Sequence, residues 1–144
     1  MKKLKILVVE DEAVVAFLLG EVLDSLGYEV CAVESNEAEA IASARRCKPD
    51  LMIVDEHLGS GSGVNVVREL LLDGPLPHVF VSGAAVNIRK LMPGAVILEK
   101  PYFEPELEQA IWNALARPAA SRLEPAQPTA EGNPGPALGD CRCA

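Results

Sequence analysis

The chain has 144 residues, a formal net charge of −8, 49% hydrophobic residues and 24% charged ones, enough apolar mass for one domain and a tail. An acidic domain is poorly matched to a nucleic-acid backbone and suits a divalent cation or a basic partner, so no nucleic-acid partner is expected. No apolar run approaches the ~20 residues that a bilayer span needs, and the short run behind Met1-Lys2-Lys3 meets three acids at once, unlike a secretory signal; the expected location is cytoplasmic, with no membrane partner.

Apolar runs alternate with helical patterns along the chain. Leu4 to Val9 reads as a strand ending in Glu10-Asp11-Glu12. A helix follows from about Asp11 to Leu26, with Val14, Val15, Leu18, Leu19, Val22, Leu23 and Leu26 on one broad face and Gly27 as its stop. Tyr28 to Val33 reads as a second strand. Ser35 or Asn36 can cap a helix through about Arg46, with Ala38, Ala40, Ile41 and Ala44 inward. Lys48-Pro49-Asp50 turns into the apolar run Leu51-Met52-Ile53-Val54, which ends in Asp55.

The loop Gly59-Ser60-Gly61-Ser62-Gly63 follows, rich in exposed backbone amides. Val64 to Leu72 reads as a third helix, broken by Gly74-Pro75. Val79-Phe80-Val81 is a strand ending in Ser82-Gly83. Ala84 to Leu91 is a short, weakly patterned helix stopped by Pro93-Gly94. Ala95 to Leu98 is a strand ending in Glu99-Lys100-Pro101. The last helix starts near Glu104-Pro105-Glu106, with proline and acids suited to a first turn and an apolar stripe of Leu107, Ile111 and Leu115 with Trp112 beside it.

From Arg117 the composition changes: five prolines, three glycines and no aromatic residue, with three arginines balancing three acids. Such a stretch cannot bury enough surface to offset its ordering entropy. The expected division is a folded domain at 1–116, carrying the whole charge excess, and a disordered Pro/Ala/Gly-rich tail at 117–144. Cys31 and Cys47 read as buried or half-buried thiols and Cys141 and Cys143 as tail thiols, since a disulfide framework is not expected in a cytosolic chain.

The pattern is α/β, (βα)5: a doubly wound parallel five-stranded sheet, flavodoxin-like, of expected order 2-1-3-4-5, with its ligand crevice between the first and third strands. Asp11 and Asp55 fall on opposite sides of that crevice. Carboxylates so placed repel, and a hard cation removes the conflict. Mg²⁺ prefers one or two carboxylates with waters and phosphate oxygens. Asp11 and Asp55 are the natural ligands, Glu10 a direct or water-mediated one, and a main-chain carbonyl near His57 a further oxygen. Lys100 adds a positive charge and Ser82 a hydroxyl donor. An ammonium, a hydroxyl and a cation around a carboxylate form a receptor for a tetrahedral dianion, and the chemistry expected is attack by Asp55 on a phosphoryl group.

Taken singly, each residue has a plainer role: Asp11 or Glu12 as a helix cap, Ser82 and Asp55 as turn residues, Lys100 as a surface lysine. Four matched groups at four strand ends outweigh those. His57, two residues past the acceptor, reads as a solvent-facing loop histidine or as a group over the site.

The strand ends Val8-Val9-Glu10-Asp11-Glu12, Asp55, Val81-Ser82-Gly83 and Lys100-Pro101-Tyr102 closely resemble the receiver domain of two-component response regulators, the CheY-like superfamily, over about Leu4 to Leu115. The resemblance implies a phosphorelay protein, not an enzyme on a separate substrate. In it Asp55 takes phosphate from a histidine kinase or histidine phosphotransfer protein, Asp11 and Glu10 serve Mg²⁺, Ser82 contacts the phosphoryl group and Lys100 pairs with it. It also implies a cis Lys100–Pro101 bond. With no output domain expected, the chain resembles a stand-alone receiver acting on an unknown downstream protein. The stretches Pro77-His78-Val79-Phe80-Val81-Ser82-Gly83 and Leu58-Gly59-Ser60-Gly61-Ser62-Gly63 resemble an atypical subgroup with a Phe-Ala-Thr-Gly-Tyr signature, from which this chain departs with Val81 for its Ala, Ser82 for its Thr and Ala84 for its Tyr. The common pattern is broken at Gly59, where a proline is usual, at Ile97, where a switch aromatic is usual, and at Gly83, where alanine is usual. Two rivals stand beside this reading: a phosphorylation-independent receiver-fold binding module, and an aspartyl-phosphate phosphatase. The latter needs an acid two residues after the nucleophile, where this chain has His57.

Overall fold

Five parallel strands form the central sheet: β1 (Lys5–Val9), β2 (Glu29–Glu34), β3 (Leu51–Asp55), β6 (His78–Ser82) and β7 (Ile97–Glu99). They lie in the order β2-β1-β3-β6-β7. A two-stranded hairpin, β4 (His57–Leu58) and β5 (Gly61–Ser62), stands apart from them. With that hairpin set aside, the order is the 2-1-3-4-5 expected of a doubly wound, flavodoxin-like sheet. The helices are α1 (Ala13–Ser25), α2 (Glu37–Cys47), α3 (Gly63–Leu71), α4 (Val86–Leu91) and α5 (Glu104–Ala116). This computed structural model describes residues 2–117; the expected tail, apart from Arg117, and both terminal cysteines lie outside the described residues. Among the described residues no helix is long and apolar enough to cross a membrane.

β3 and β6 are buried along their whole length, as strands covered on both faces must be. Alternation along them sorts the core into two layers. Val9, Met52, Val54 and Phe80 pack with Ala40 and Ala44 of α2, Val66, Val67 and Leu70 of α3 and Ile88 of α4. Ile6, Val8, Ile53, Val79 and Val81 pack on the other side with Leu19 and Leu23 of α1 and Leu107 and Ile111 of α5.

Local signals account for most of the boundaries. Asn36 caps α2 by accepting the Glu39 amide at 2.9 Å. Ser62 caps α3 by accepting the Val64 amide at 3.1 Å. At α5 the Glu106 carboxylate reaches back to the Phe103 amide at 2.7 Å. Gly27, with φ +94°, turns the chain from α1 into β2.

Two expected faces are corrected. In α1 only Ala16, Leu19 and Leu23 are buried, while Val14, Phe17 and Leu18 are exposed. Apolar residues run round most of this helix, so periodicity does not select the 16-19-23 stripe that packs. In α2 Ala38 is exposed, and Ser43 joins Ala40 and Ala44 inside. The last strand begins at Ile97 rather than Ala95, because the Ala95 amide closes a turn onto the Met92 carbonyl at 3.1 Å.

Candidate functional site

The crossovers bring the carboxyl ends of β1, β3, β6 and β7 to one edge of the sheet, and each delivers a polar group. Asp55 ends β3 and is only 6% exposed. Its carboxylate is held from two sides. Lys100 Nζ donates to Oδ2 at 2.9 Å, and the His57 amide donates to Oδ1 at 3.0 Å. Burial works against the Lys100 ammonium, but the hydrogen bond and charge of Asp55 outweigh it and raise its pKa. The Lys100–Pro101 peptide is cis, as expected.

Glu10, buried at the end of β1, is pushed up to about 7, first by burial and then by its hydrogen bond to Asp55. Its other tie is the Glu12 amide, which donates to Oε2 at 3.1 Å. Asp11 is exposed, and it does not cap α1, which has no side-chain cap. Its Oδ2 instead accepts the Gly59 amide at 2.8 Å. Gly59, with φ +60°, forms the β4–β5 turn, so this acid ties the glycine-rich loop to the site. One carboxylate oxygen from each of Glu10, Asp11 and Asp55 lies within 4.8 Å of the others, close enough to share one cation. This all-oxygen set suits a hard ion.

Ser82 is not turned toward Asp55. Its Oγ donates to Glu56 Oε1 at 2.6 Å and accepts the Ala84 amide at 2.9 Å. The His57 side chain is exposed on β4 and stands outside the acidic cluster; its contribution to Asp55 is the main-chain amide. Burial raises the pKa of the Tyr102 phenol; Lys100 lowers it, and the Glu10 and Asp55 carboxylates raise it.

Three residues have roles at this edge that the sequence does not signal directly. Glu56 is a buried acid, 7% exposed, behind Asp55. Its signal was parity: in the β3–β6 ladder Asp55 pairs with Val81, so the next residues, Glu56 and Ser82, share a face. Gly63 lies so close to β3 that a Cβ there would sit 2.2 Å from the Asp55 carbonyl oxygen. Glu37 of α2 accepts the Ser62 amide at 2.6 Å and the Asn65 side chain at 3.1 Å, holding the far end of the loop.

The model of the response regulator receiver domain matches residues 6–112. The chain belongs to the response regulator receiver family. Among curated relatives of this receiver, it is 30% identical over 107 residues to a protein-glutamate methylesterase/protein-glutamine glutaminase of Pyrococcus horikoshii, covering 69% of this chain and 29% of that one. It is 25% identical over 112 residues to the chemotaxis protein CheY of Thermotoga maritima, covering 74% of this chain and 93% of that one. Its fold is similar to the crystal structure of the response regulator PhyR from Brucella abortus, with TM-score 0.72 and 26% identity over 79% of this chain and 48% of that one. The receiver thus spans about three-tenths of the methylesterase, about half of the solved regulator, and nearly all of the chemotaxis protein.

Proposed function

We propose that this receiver is a single-domain response regulator of a two-component phosphorelay. In it Asp55 accepts a phosphoryl group from a phosphohistidine of a histidine kinase or phosphotransfer protein. The observation that carries the reading is the convergence on Asp55. The carboxylate is buried, is bonded to Lys100 at 2.9 Å and shares a cation-sized cluster with Glu10 and Asp11, at the edge where doubly wound sheets bind ligands.

In the reaction, an Asp55 carboxylate oxygen attacks phosphorus in line with the departing imidazole. The P–N bond breaks as the P–O bond forms, and the histidine leaves with its electron pair. Lys100 and the His57 amide orient Asp55 beforehand and place positive charge where the incoming oxygens collect. Asp11, Asp55 and Glu10, with the His57 carbonyl, would hold Mg²⁺, which would supply the remaining charge neutralisation. Ser82 contacts the new phosphoryl group and draws on the β6–α4 segment, which biases α4 between two arrangements and changes what binds the surface there. Ile97, half-buried where a switch aromatic is usual, leaves that change to α4 and β7 packing.

The exposed Val14, Phe17 and Leu18 on α1 give a partner helix an apolar seat beside Asp11 and an open groove of about 490 Å³ lined by Glu10, Asp11, Phe17 and Val33. The chain works on its own aspartyl phosphate in the cytoplasm and on no separate substrate: His57 stands where a phosphatase needs its second acid.

Incubation with Mg²⁺ and a small acyl phosphate, followed by intact-mass measurement, tests the reading. One added phosphoryl group, absent in Asp55→Asn, is the expected result. No adduct would overturn it in favour of a phosphorylation-independent binding module. Rapid turnover of diverse phosphate esters would overturn it in favour of a phosphatase.

A further inference from the structure

Glu56 takes no part in the chemistry above, yet its carboxylate is buried and aimed at Ser82. The Ser82 side chain is 1% exposed, donates to Glu56 Oε1 at 2.6 Å and accepts the Ala84 amide at 2.9 Å. A serine hydroxyl carries one proton. While that proton goes to Glu56, Ser82 has none to give to a phosphoryl oxygen on Asp55. The geometry is fixed from below. The Glu56 amide donates to the Val81 carbonyl at 3.0 Å and its carbonyl accepts the Gly63 amide at 2.9 Å, so the side chain is launched across the end of β6.

We propose that Glu56 is a positioning residue that holds Ser82 in the resting arrangement and must release it when Asp55 carries a phosphoryl group. The inference rests on the reading of Asp55 as the phosphoacceptor. Two anionic acceptors compete for one proton: a buried carboxylate before transfer, a phosphoryl oxygen after it. Release leaves the buried Glu56 carboxylate short of a partner, so the resting arrangement is favoured. A charge-assisted bond of this kind biases the equilibrium by about tenfold to a hundredfold. A glutamine at 56 retains a carbonyl acceptor for Ser82, whereas an alanine removes it.

The test uses the full chain as wild type, Glu56→Ala, Glu56→Gln, Ser82→Ala and the Ser82→Ala/Glu56→Ala double variant. The first readout needs no phosphoryl group: hydrogen exchange of the Ala84 amide, whose acceptor is the Ser82 hydroxyl. Exchange about tenfold faster in Glu56→Ala, restored in Glu56→Gln, is the expected result; unchanged exchange in Glu56→Ala overturns the proposal. The second readout is the rate of Asp55 phosphorylation by a small acyl phosphate with Mg²⁺. Glu56→Ala should raise it by about tenfold, and the same change in the Ser82→Ala background should leave it unaltered. Equal effects in both backgrounds reduce Glu56 to a strut and overturn the proposal. If the wild type forms no adduct while the exchange result holds, the phosphoacceptor reading fails and the Glu56 grip on Ser82 stands.

Discussion

Gly63→Ala adds one methyl group at the first residue of α3 and should disable the domain out of proportion to its size. The new Cβ would lie 2.2 Å from the Asp55 carbonyl oxygen, 2.6 Å from Val54 Cγ1 and 3.1 Å from the Asp55 carbonyl carbon. A carbon–oxygen contact settles near ~3.3 Å, so the first turn of α3 must retreat by about 1 Å from backbone that has nowhere to go. That retreat strains the Gly63 amide's bond to the Glu56 carbonyl, now 2.9 Å long. Overpacking of this sort costs about 1–3 kcal/mol and a weakened hydrogen bond adds about 1 kcal/mol. The helix gains back about 0.5–1 kcal/mol when glycine becomes alanine. The net expectation is a loss of about 1–3.5 kcal/mol, a fall in melting temperature of about 4–17 °C for a domain of this size. Gly20, within α1, is the control: nothing lies within 4 Å of its Cβ position. Gly20→Ala should therefore raise stability by about 0.5–1 kcal/mol. Thermal melts by far-UV circular dichroism read both. A Gly63→Ala protein melting within about 2 °C of wild type would refute the reasoning.

Millimolar Mg²⁺ should raise the melting temperature of the wild type, since a ligand at a hundredfold its Kd adds about 2.7 kcal/mol. Asp11→Asn keeps an acceptor for the Gly59 amide and loses the charge, so most of that rise should vanish in calorimetry; an undiminished rise would remove Asp11 from the metal site. The Cys31 thiol is pushed up to about 11, first by burial and then by the neighbouring Cys47. At pH 8 its thiolate fraction should fall about a hundredfold below that of an ordinary thiol. Peptide-resolved alkylation should thus label folded Cys31 far more slowly than the same residue in guanidinium; rates within about tenfold of each other would contradict this.

What the sequence disclosed, and what it hid, divides along physical lines. Strand ends were readable because uninterrupted apolar runs such as Leu51–Val54 and Val79–Val81 stop abruptly at polar residues, and a parallel sheet aligns such stops by its topology. Asp55, Glu10, Asp11 and Lys100 were found this way and do converge. The partner of Ser82 was not readable. An acid following an acid looks solvated, and the burial of Glu56 is decided by its neighbour strand, 26 residues away. Asp11 was equally ambiguous between cap and ligand; in the fold it caps nothing and accepts the Gly59 amide. The packed face of α1 was hidden for the opposite reason: too many apolar residues, with only a sheet contact to choose among them.

The one-residue step from Asp55 to Glu56 separates two audiences. By alternation, Asp55 keeps company with the layer under α1 and α5, and Glu56 and Ser82 with the layer under α2, α3 and α4. In the proposed relay a donor sits against α1, while the hydroxyl that registers delivery pulls on the opposite side of the sheet. Donor and recipient then need not queue for one surface. In that relay the sheet would stand as the wall between the two conversations.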